Sequence, residues 1–220
     1  MEDSVAVNYK CPIIIGLCGR SGAGKGLVSS LFAELGIPSI DTDAVYRELT
    51  APCDSTSELS ECMKELVRSF GEGILAADNS LDRRAMAGIV FADDGKEKLQ
   101  KLNLITHRHI LRRTDELIAI YADMGVPGVV VDAPVLFESG YNEKCDVIFA
   151  VSAPLDVLKY RIMKRDGITE EMAEKRLASQ KSDAELEALV DLVIVNDSSV
   201  EALREKVRAA ADFAMKKGKR

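Results

Sequence analysis

Short apolar runs alternate with longer segments of helical periodicity along this chain. The runs are rich in β-branched residues, read as buried strands, and lie at residues 13–17, 39–41, 129–132, 147–151 and 192–195. A helix follows the first run, and another begins at about Val200, after the last run. Buried strands separated by helices predict an α/β fold, with a five-stranded parallel sheet in a three-layer αβα core.

The spacing of these runs is uneven. Residues 47–125, between the second and third strands, read almost entirely as helix, with a bend expected near Thr106. This segment is too long for a simple crossover and is interpreted as a helical insertion beside the sheet. A second, smaller insertion is predicted at residues 155–183. The core then consists of residues 1–46, 126–154 and 184–220.

A glycine-rich loop, G-R-S-G-A-G-K-G, joins the first strand to its helix at residues 19–26. It departs from the pattern G-x-x-x-x-G-K-[ST] only at Gly26, where a hydroxyl that ligates Mg²⁺ normally stands. A strand before the loop and a helix after it aim backbone N–H groups at a phosphate, and Lys25 is placed to reach the β- and γ-phosphates. A glycine-rich turn with an incidental lysine is the alternative. The flanking elements favour a phosphate-binding loop, and adenylate kinases carry the same G-K-G.

Carboxylates follow two of the predicted strands, at the edge where a doubly wound sheet binds its ligands. Asp43 follows the second strand and is interpreted as the group that orients an acceptor hydroxyl and takes its proton. The alternative for Asp43 is the N-cap of a helix that begins at Ala44. Asp132 ends the third strand and fits a position that binds Mg²⁺ directly or through water.

The smaller insertion is rich in basic residues. Arg161 and Arg165 are four positions apart and therefore share one helix face, and Lys164, Arg176 and Lys181 lie nearby. One interpretation is a solvated basic face. We favour the other interpretation, a lid whose arginines close over the transferring phosphate.

Composition narrows the classes of function. The chain has 220 residues, a net charge of −7 and a pI of about 5.1, which argues against a nucleic-acid-binding protein. No apolar run approaches the roughly 18 residues that span a bilayer, and the acidic first residues do not resemble a signal peptide. Scattered cysteines without a C-x-x-C pair favour a reducing cytoplasm over a disulfide or zinc framework; they are Cys11, Cys18, Cys53, Cys62 and Cys145.

An ordered set of short segments resembles the dephospho-CoA kinase family over nearly the whole chain. The segments are I-I-G-L-C-G-R-S-G-A-G-K-G, G-I-P-S-I-D-T-D-A-V-Y-R-E-L, F-G-E-G-I-L, L-D-R-R-A-M-A-G-I-V-F-A-D, L-I-T-H-R-H-I, V-V-D-A-P-V-L-F-E-S-G, K-R-D-G-I-T with K-R-L-A-S-Q, and V-I-V-N-D. The resemblance implies phosphorylation of the ribose 3′-hydroxyl of dephospho-CoA by ATP, the last step of coenzyme A synthesis. It also implies a P-loop kinase core, a helical acceptor domain at 47–125 and a lid at 155–183.

The resemblance assigns roles to individual residues. Asp43 matches the family's base, Lys25 its loop lysine and Arg165 its lid arginine. The residues expected to bind the nucleotide are Gly22, Ala23, Gly24, Lys25, Gly26, Leu27, Arg165 and Asn196, the last near the ATP base. Those expected to bind the acceptor are Asp43, His107 and Arg161. Mg²⁺ is expected to accompany ATP, held by phosphate oxygens, waters and Asp132. ATP and dephospho-CoA are the expected partners, without nucleic acid or membrane; oligomeric state stays open, and a monomer is plausible.

Two positions depart from the family pattern. Gly26 replaces the usual Ser or Thr, which questions direct metal ligation from that position. Arg108 stands where the family usually has proline, which questions a helix break there, and neighbouring His107 could equally be a helix-end or core histidine.

Three other functions stay open at the level of sequence. A shikimate kinase would share the loop and a D-[ST]-D motif, but it carries a Gly-Gly-Gly segment where this chain has D-A-P-V-L-F-E. A nucleoside monophosphate kinase is a weaker option. A GTPase-like switch should carry N-K-x-D, which does not occur here.

Overall fold

A computed structural model describes residues 11–52, 58–92 and 95–218 of the chain. Cys53, one of the five cysteines, lies outside these residues. The described part divides into two compact units. One unit comprises the residues up to Asp41 and those from Leu117 onward, and the other runs from Thr42 to Glu116.

The first unit contains the predicted parallel sheet. Its described strands are β1 (Ile13–Gly19), β2 (Ser39–Asp41), β3 (Gly128–Asp132), β4 (Val147–Ser152) and β5 (Leu192–Val195). They are ordered β2-β3-β1-β4-β5, and every neighbouring pair is parallel. The three central strands are nearly continuous apolar runs because helices flank the sheet. The predicted fold class is confirmed.

Helices make up most of the remaining chain. Within the described residues they are α1 (Lys25–Glu34), α2 (Thr42–Leu49), α3 (Glu61–Phe70), α4 (Arg83–Val90), α5 (Gly95–Asp123), α6 (Leu155–Asp166), α7 (Glu170–Ala178), α8 (Asp183–Glu187) and α9 (Val200–Lys217). Short 3₁₀ helices lie at Glu72–Ile74 and Tyr141–Lys144. No helix of the described residues is both long enough and apolar enough to cross a membrane.

One hydrophobic core joins the sheet to four helices of the first unit. Phe32 of α1 stacks on Phe149 of β4, with ring centroids 6.2 Å apart. Leu158 and Ile162 of α6 and Leu177 of α7 are buried in the same core, as are residues of α9. The basic segment at 155–183 is therefore anchored to the sheet by apolar side chains, which holds its arginine-bearing face in place.

The second unit has its own core. Apolar residues of α3, α4 and α5 pack together around Met63, Leu66 and Ile74, all fully buried. Ser60 caps α3 by accepting a hydrogen bond from the Met63 N–H at 3.1 Å. Asp82 caps α4 in the same manner, accepting from two backbone N–H groups at 2.9 Å each.

One local alternative is wrong, the doubt about a helix break at Arg108 is confirmed, and two predictions stay predictions. Helix α2 begins at Thr42, so Asp43 is its second residue and not the N-cap of a helix beginning at Ala44. Helix α5 is uninterrupted at Arg108, because an arginine keeps the backbone N–H that a proline lacks. The bend near Thr106 stays a prediction; its hydroxyl donates to the Leu102 carbonyl at 2.9 Å, a contact that often bends helices. The division into nucleotide core, acceptor domain and lid also stays a prediction.

Candidate active site

The glycine-rich loop lies between the end of β1 and the start of α1, as predicted. Gly22 has φ +82° and Gly24 has φ +95°, values that strain any residue with a side chain. Space is also restricted, because a Cβ on Gly22 would lie 2.8 Å from the Leu158 carbonyl oxygen. A Cβ on Gly24 would lie 2.3 Å from Nδ2 of Asn196. Both glycines are therefore required by the loop's conformation and by its neighbours.

The N-terminus of α1 has the geometry of an anion site. Gly24 occupies the N-cap position, and no side chain caps this end of the helix. The partial positive charge of a helix N-terminus favours a phosphate here. Lys25 is the first residue of the helix, and Gly26 has no atom within 4 Å of where its Cβ would stand. The Leu27 N–H donates to the Gly24 carbonyl at 3.1 Å, so its contact with nucleotide stays a prediction.

Asp132 ends β3 beside this loop. It is in register with Leu17 of β1 and with Asp41 of β2, so it lies at the carboxyl edge of the sheet. Its Oδ1 is 3.9 Å from Nζ of Lys25, and its Oδ2 accepts a hydrogen bond from the Ser29 hydroxyl at 3.2 Å. The carboxylate, the lysine and the hydroxyl thus form one polar group next to the phosphate loop.

Both arginines of α6 reach the loop, which confirms that they share a helix face. Arg161 donates to the carbonyls of Gly22 at 3.3 Å and Ala23 at 3.4 Å. Arg165 donates to the Ser21 hydroxyl at 3.3 Å. Its guanidinium also makes two bonds to the carboxylate of Asp166, at 2.8 and 2.9 Å.

The Asp166 carboxylate links two arginines. Hydrogen bonds from Arg165 and Arg176 lower the pKa of Asp166 to about 2, and the same carboxylate raises the pKa of Arg165. Asp166 therefore stays ionised at neutral pH and keeps the Arg165 guanidinium in a fixed orientation toward the loop.

Asn196 follows β5 and is 4% exposed. Its side-chain amide donates to the Ala23 carbonyl at 2.8 Å, and its backbone N–H donates to the Ser152 carbonyl at 2.8 Å. Its own carbonyl accepts from Arg161 at 3.4 Å. Asn196 and Arg161 therefore support the loop backbone directly; their contacts with nucleotide and acceptor stay predictions.

Asp43 and His107 belong to the second unit. Asp43 is exposed in the first turn of α2, where the helix dipole stabilises a carboxylate. His107 lies within α5 and is partly buried. His109, two residues later, places Nε2 2.9 Å from the Glu65 carboxylate, which also pairs with Arg108. The base role of Asp43 and the acceptor role of His107 stay predictions.

Comparison with known proteins decides the family. The family model for dephospho-CoA kinase matches residues 13–202. The chain belongs to the dephospho-CoA kinase family. A dephospho-CoA kinase of Symbiobacterium thermophilum is 36% identical over 197 residues, covering 90% of this chain and 79% of the relative. That of Fusobacterium nucleatum is 37% identical over 195 residues, covering 89% and 95%. A solved structure from Thermus thermophilus is 30% identical, with a TM-score of 0.75, and covers 92% of this chain and 98% of the other.

Three contacts at the loop or beside it were not predicted from the sequence. The Ser21 N–H donates to Oε1 of Gln180 at 2.9 Å. Arg20 donates to the Leu177 carbonyl at 3.0 Å. Ser29 binds Asp132, as described above. Only Ser29 carried a usable signal, because a serine three positions after Gly26 lies on the same side of a helix.

The site fits ATP with a divalent cation. The loop offers glycine backbone and a helix N-terminus, while Lys25 and the α6 arginines supply positive charge beside them. The Asp132 carboxylate lies next to Lys25, and Mg²⁺ is commonly held by one or two carboxylates together with phosphate oxygens and waters. No group of three or more metal-ligating side chains occurs within residues 11–52, 58–92 and 95–218.

Proposed function

We propose that this chain transfers the γ-phosphoryl group of ATP to the 3′-hydroxyl of dephospho-CoA, which gives coenzyme A and ADP. The observation that carries the proposal is the family match over residues 13–202, on a chain whose glycine loop, Lys25 and Asp132 form one site. The reaction forms a bond between O3′ and the γ-phosphorus and breaks the bond between that phosphorus and the bridging β-oxygen.

The glycine-rich loop binds the phosphates of ATP. Backbone N–H groups of the loop bind the phosphates, other than those of Ala23 and Leu27, which donate to carbonyls of the loop itself. Lys25 turns from Asp132 toward the β- and γ-phosphates. Its Nζ is 3.9 Å from the carboxylate in this structure, a separation that a flexible side chain changes at small cost. Asn196 would lie near the ATP base while holding the loop through Ala23.

Charge on the transferring group is neutralised by the arginine side of the site. Arg165 binds the γ-phosphate as its negative charge shifts toward the bridging oxygen, and Asp166 keeps the guanidinium oriented. Arg161 maintains the loop and contacts the acceptor. Magnesium, when bound at Asp132, supplies further positive charge at the β- and γ-phosphates.

Asp43 acts as the base. Asp43 matches the position of the family's base, two residues after Asp41, where β2 ends. The carboxylate orients the 3′-hydroxyl and takes its proton as O3′ attacks. His107 binds the acceptor. A cytoplasmic location stays part of this proposal, from the scattered cysteines.

An acceptor panel tests the function. Purified protein is incubated with ATP and Mg²⁺ together with dephospho-CoA, shikimate, AMP or CMP, and ADP formation is followed. We expect turnover with dephospho-CoA alone. Lys25→Ala should abolish it, whereas Lys175→Ala, which removes an exposed lysine paired with Glu171 on α7, should not. Phosphorylation of shikimate or AMP in place of dephospho-CoA would refute the proposal.

A further inference from the structure

We infer that Ser29 is a positioning residue for the metal-binding carboxylate of Asp132, and that it compensates for the hydroxyl missing at position 26. The inference rests on the proposed use of ATP with a divalent cation. It concerns one hydrogen bond, from the Ser29 hydroxyl to Oδ2 of Asp132.

The surroundings of Ser29 are unusual for a serine within a helix. Its side chain is buried, with 8% of the residue exposed, and its hydroxyl points across to β3. The neighbouring Ser30 shows the common arrangement, an exposed hydroxyl that donates back to the Gly26 carbonyl at 2.9 Å. The two adjacent serines of one helix thus differ in burial and in hydrogen-bond partner, and only Ser29 contacts Asp132.

The hydrogen bond constrains the carboxylate. Ser29 engages Oδ2 at 3.2 Å, while Oδ1 lies 3.9 Å from Nζ of Lys25. A carboxylate held at one oxygen cannot rotate freely about its terminal bond, so its orientation toward a cation is set before the cation binds. Groups that orient metal ligands in this way typically change metal affinity by roughly 10–100-fold when removed.

Gly26 explains why this contact matters in this chain. A serine at position 26 would supply a hydroxyl directly to the metal, and Gly26 supplies none. Ser29 stands three residues later, on the same side of α1. The hydroxyl has therefore moved one turn along the helix and acts through Asp132. The position next to the loop remains open, because a Cβ at residue 26 meets no atom within 4 Å.

The test measures metal binding and needs no acceptor. Binding of Mn²⁺ to the complex of the protein with β,γ-imido-ATP is followed by electron paramagnetic resonance, and binding of the analogue in EDTA by calorimetry. Ser29→Ala should weaken Mn²⁺ binding by about ten-fold or more and leave analogue binding in EDTA unchanged. Ser30→Ala, the matched control, should leave both affinities unchanged.

The most stringent test restores a hydroxyl at position 26. Gly26→Ser in the Ser29→Ala background should recover Mn²⁺ affinity, because the added side chain has room beside the loop. Wild-type Mn²⁺ affinity in Ser29→Ala would overturn the inference. So would equal losses of Mn²⁺ affinity in Ser29→Ala and Ser30→Ala.

Further measurements distinguish a loss of Mn²⁺ affinity from misfolding of the variant and from failure of the proposed function. If Ser29→Ala melts at a much lower temperature, Ser29→Cys replaces it, since a thiol of similar size donates only a weak hydrogen bond. An intermediate Mn²⁺ affinity in that variant supports the inference, and wild-type affinity overturns it. Failure of the proposed function would appear as absent phosphorylation of dephospho-CoA by the wild type, an outcome that leaves the Mn²⁺ measurement intact.

Discussion

Substitution of Gly24 by alanine should disrupt the phosphate loop, whereas the same substitution at Gly26 should not. Gly24 has φ +95°, and its Cβ would lie 2.3 Å from Nδ2 of Asn196. Gly26 is outside the left-handed region, and its Cβ would meet no atom within 4 Å. The two glycines are two residues apart in one loop, so each substitution controls for the other.

Two terms set the expected loss of unfolding free energy in Gly24→Ala. A side chain in the left-handed region costs about 1–2 kcal/mol. The Asn196 amide must also move away from Gly24, which breaks its buried hydrogen bond to the Ala23 carbonyl. An unsatisfied buried polar group costs about 1–3 kcal/mol. The free energy of unfolding should therefore fall by about 2–5 kcal/mol in Gly24→Ala.

Urea unfolding followed by far-ultraviolet circular dichroism measures this change. With a denaturant dependence of about 2–3 kcal/mol per molar urea, the midpoint should fall by about 1–2 M in Gly24→Ala. Gly26→Ala should raise stability by at most about 1 kcal/mol, because alanine favours helix over glycine. Calorimetry with β,γ-imido-ATP should show weaker binding in Gly24→Ala and retained binding in Gly26→Ala.

A double-mutant cycle identifies the cause. In an Asn196→Ala background the amide that meets the new Cβ is gone, so Gly24→Ala should cost only the backbone strain of about 1–2 kcal/mol. Equal stability losses for Gly24→Ala and Gly26→Ala would refute the reasoning. An undiminished penalty in the Asn196→Ala background would show that the contact with Asn196 does not contribute.

Three further outcomes are expected. Asp43→Asn should lower kcat by about 10²–10⁴-fold and leave the Kd for ATP unchanged, measured by a coupled ADP assay and calorimetry; near-normal kcat would remove Asp43 from the base role. Pairing with Arg165 lowers the pKa of Asp166 to about 2. The ionised Asp166 carboxylate should therefore contribute its full stabilisation above pH 4 and lose it as the pH falls toward 2. The urea midpoints of wild type and Asp166→Asn should converge over that range. Burial raises the pKa of Cys18 to about 11, so at pH 8 a disulfide reagent should label exposed Cys11 quickly and label Cys18 only in denaturant; rapid labelling of native Cys18 would contradict its burial.

Local sequence patterns were sufficient for the strands of the sheet, but the sequence did not predict their order in it. The apolar runs at 13–17 and 129–132 became β1 and β3 because buried parallel strands are apolar on both faces, a property visible in a few residues. The glycine loop was equally predictable, since a strand, a glycine pattern and a helix are adjacent in the chain. Helix boundaries were less certain: α2 starts two residues before Ala44, because the sequence around Asp43 permits both a cap and a first-turn position.

Contacts between residues that are far apart in the chain could not be predicted from local sequence patterns. Ser29 and Asp132 are 103 positions apart, and Ser21 and Gln180 are 159 apart. Asn196 was singled out only through family resemblance, and its bond to the Ala23 carbonyl spans 173 positions. Periodicity describes which face of an element is apolar, and it carries no information about which distant polar group that element will meet.

The sequence by itself determined the strands, the phosphate loop and, through its ordered motifs, the kinase family. Each of these depends on residues that are near one another in the chain, where spacing and residue type dictate local geometry. Only the tertiary structure decided that α6 holds the loop through Arg161 and that α1 brings Ser29 to Asp132. Both contacts arise because apolar side chains of α1 and α6 share one core with the sheet, which fixes the polar face of each helix against the loop and β3.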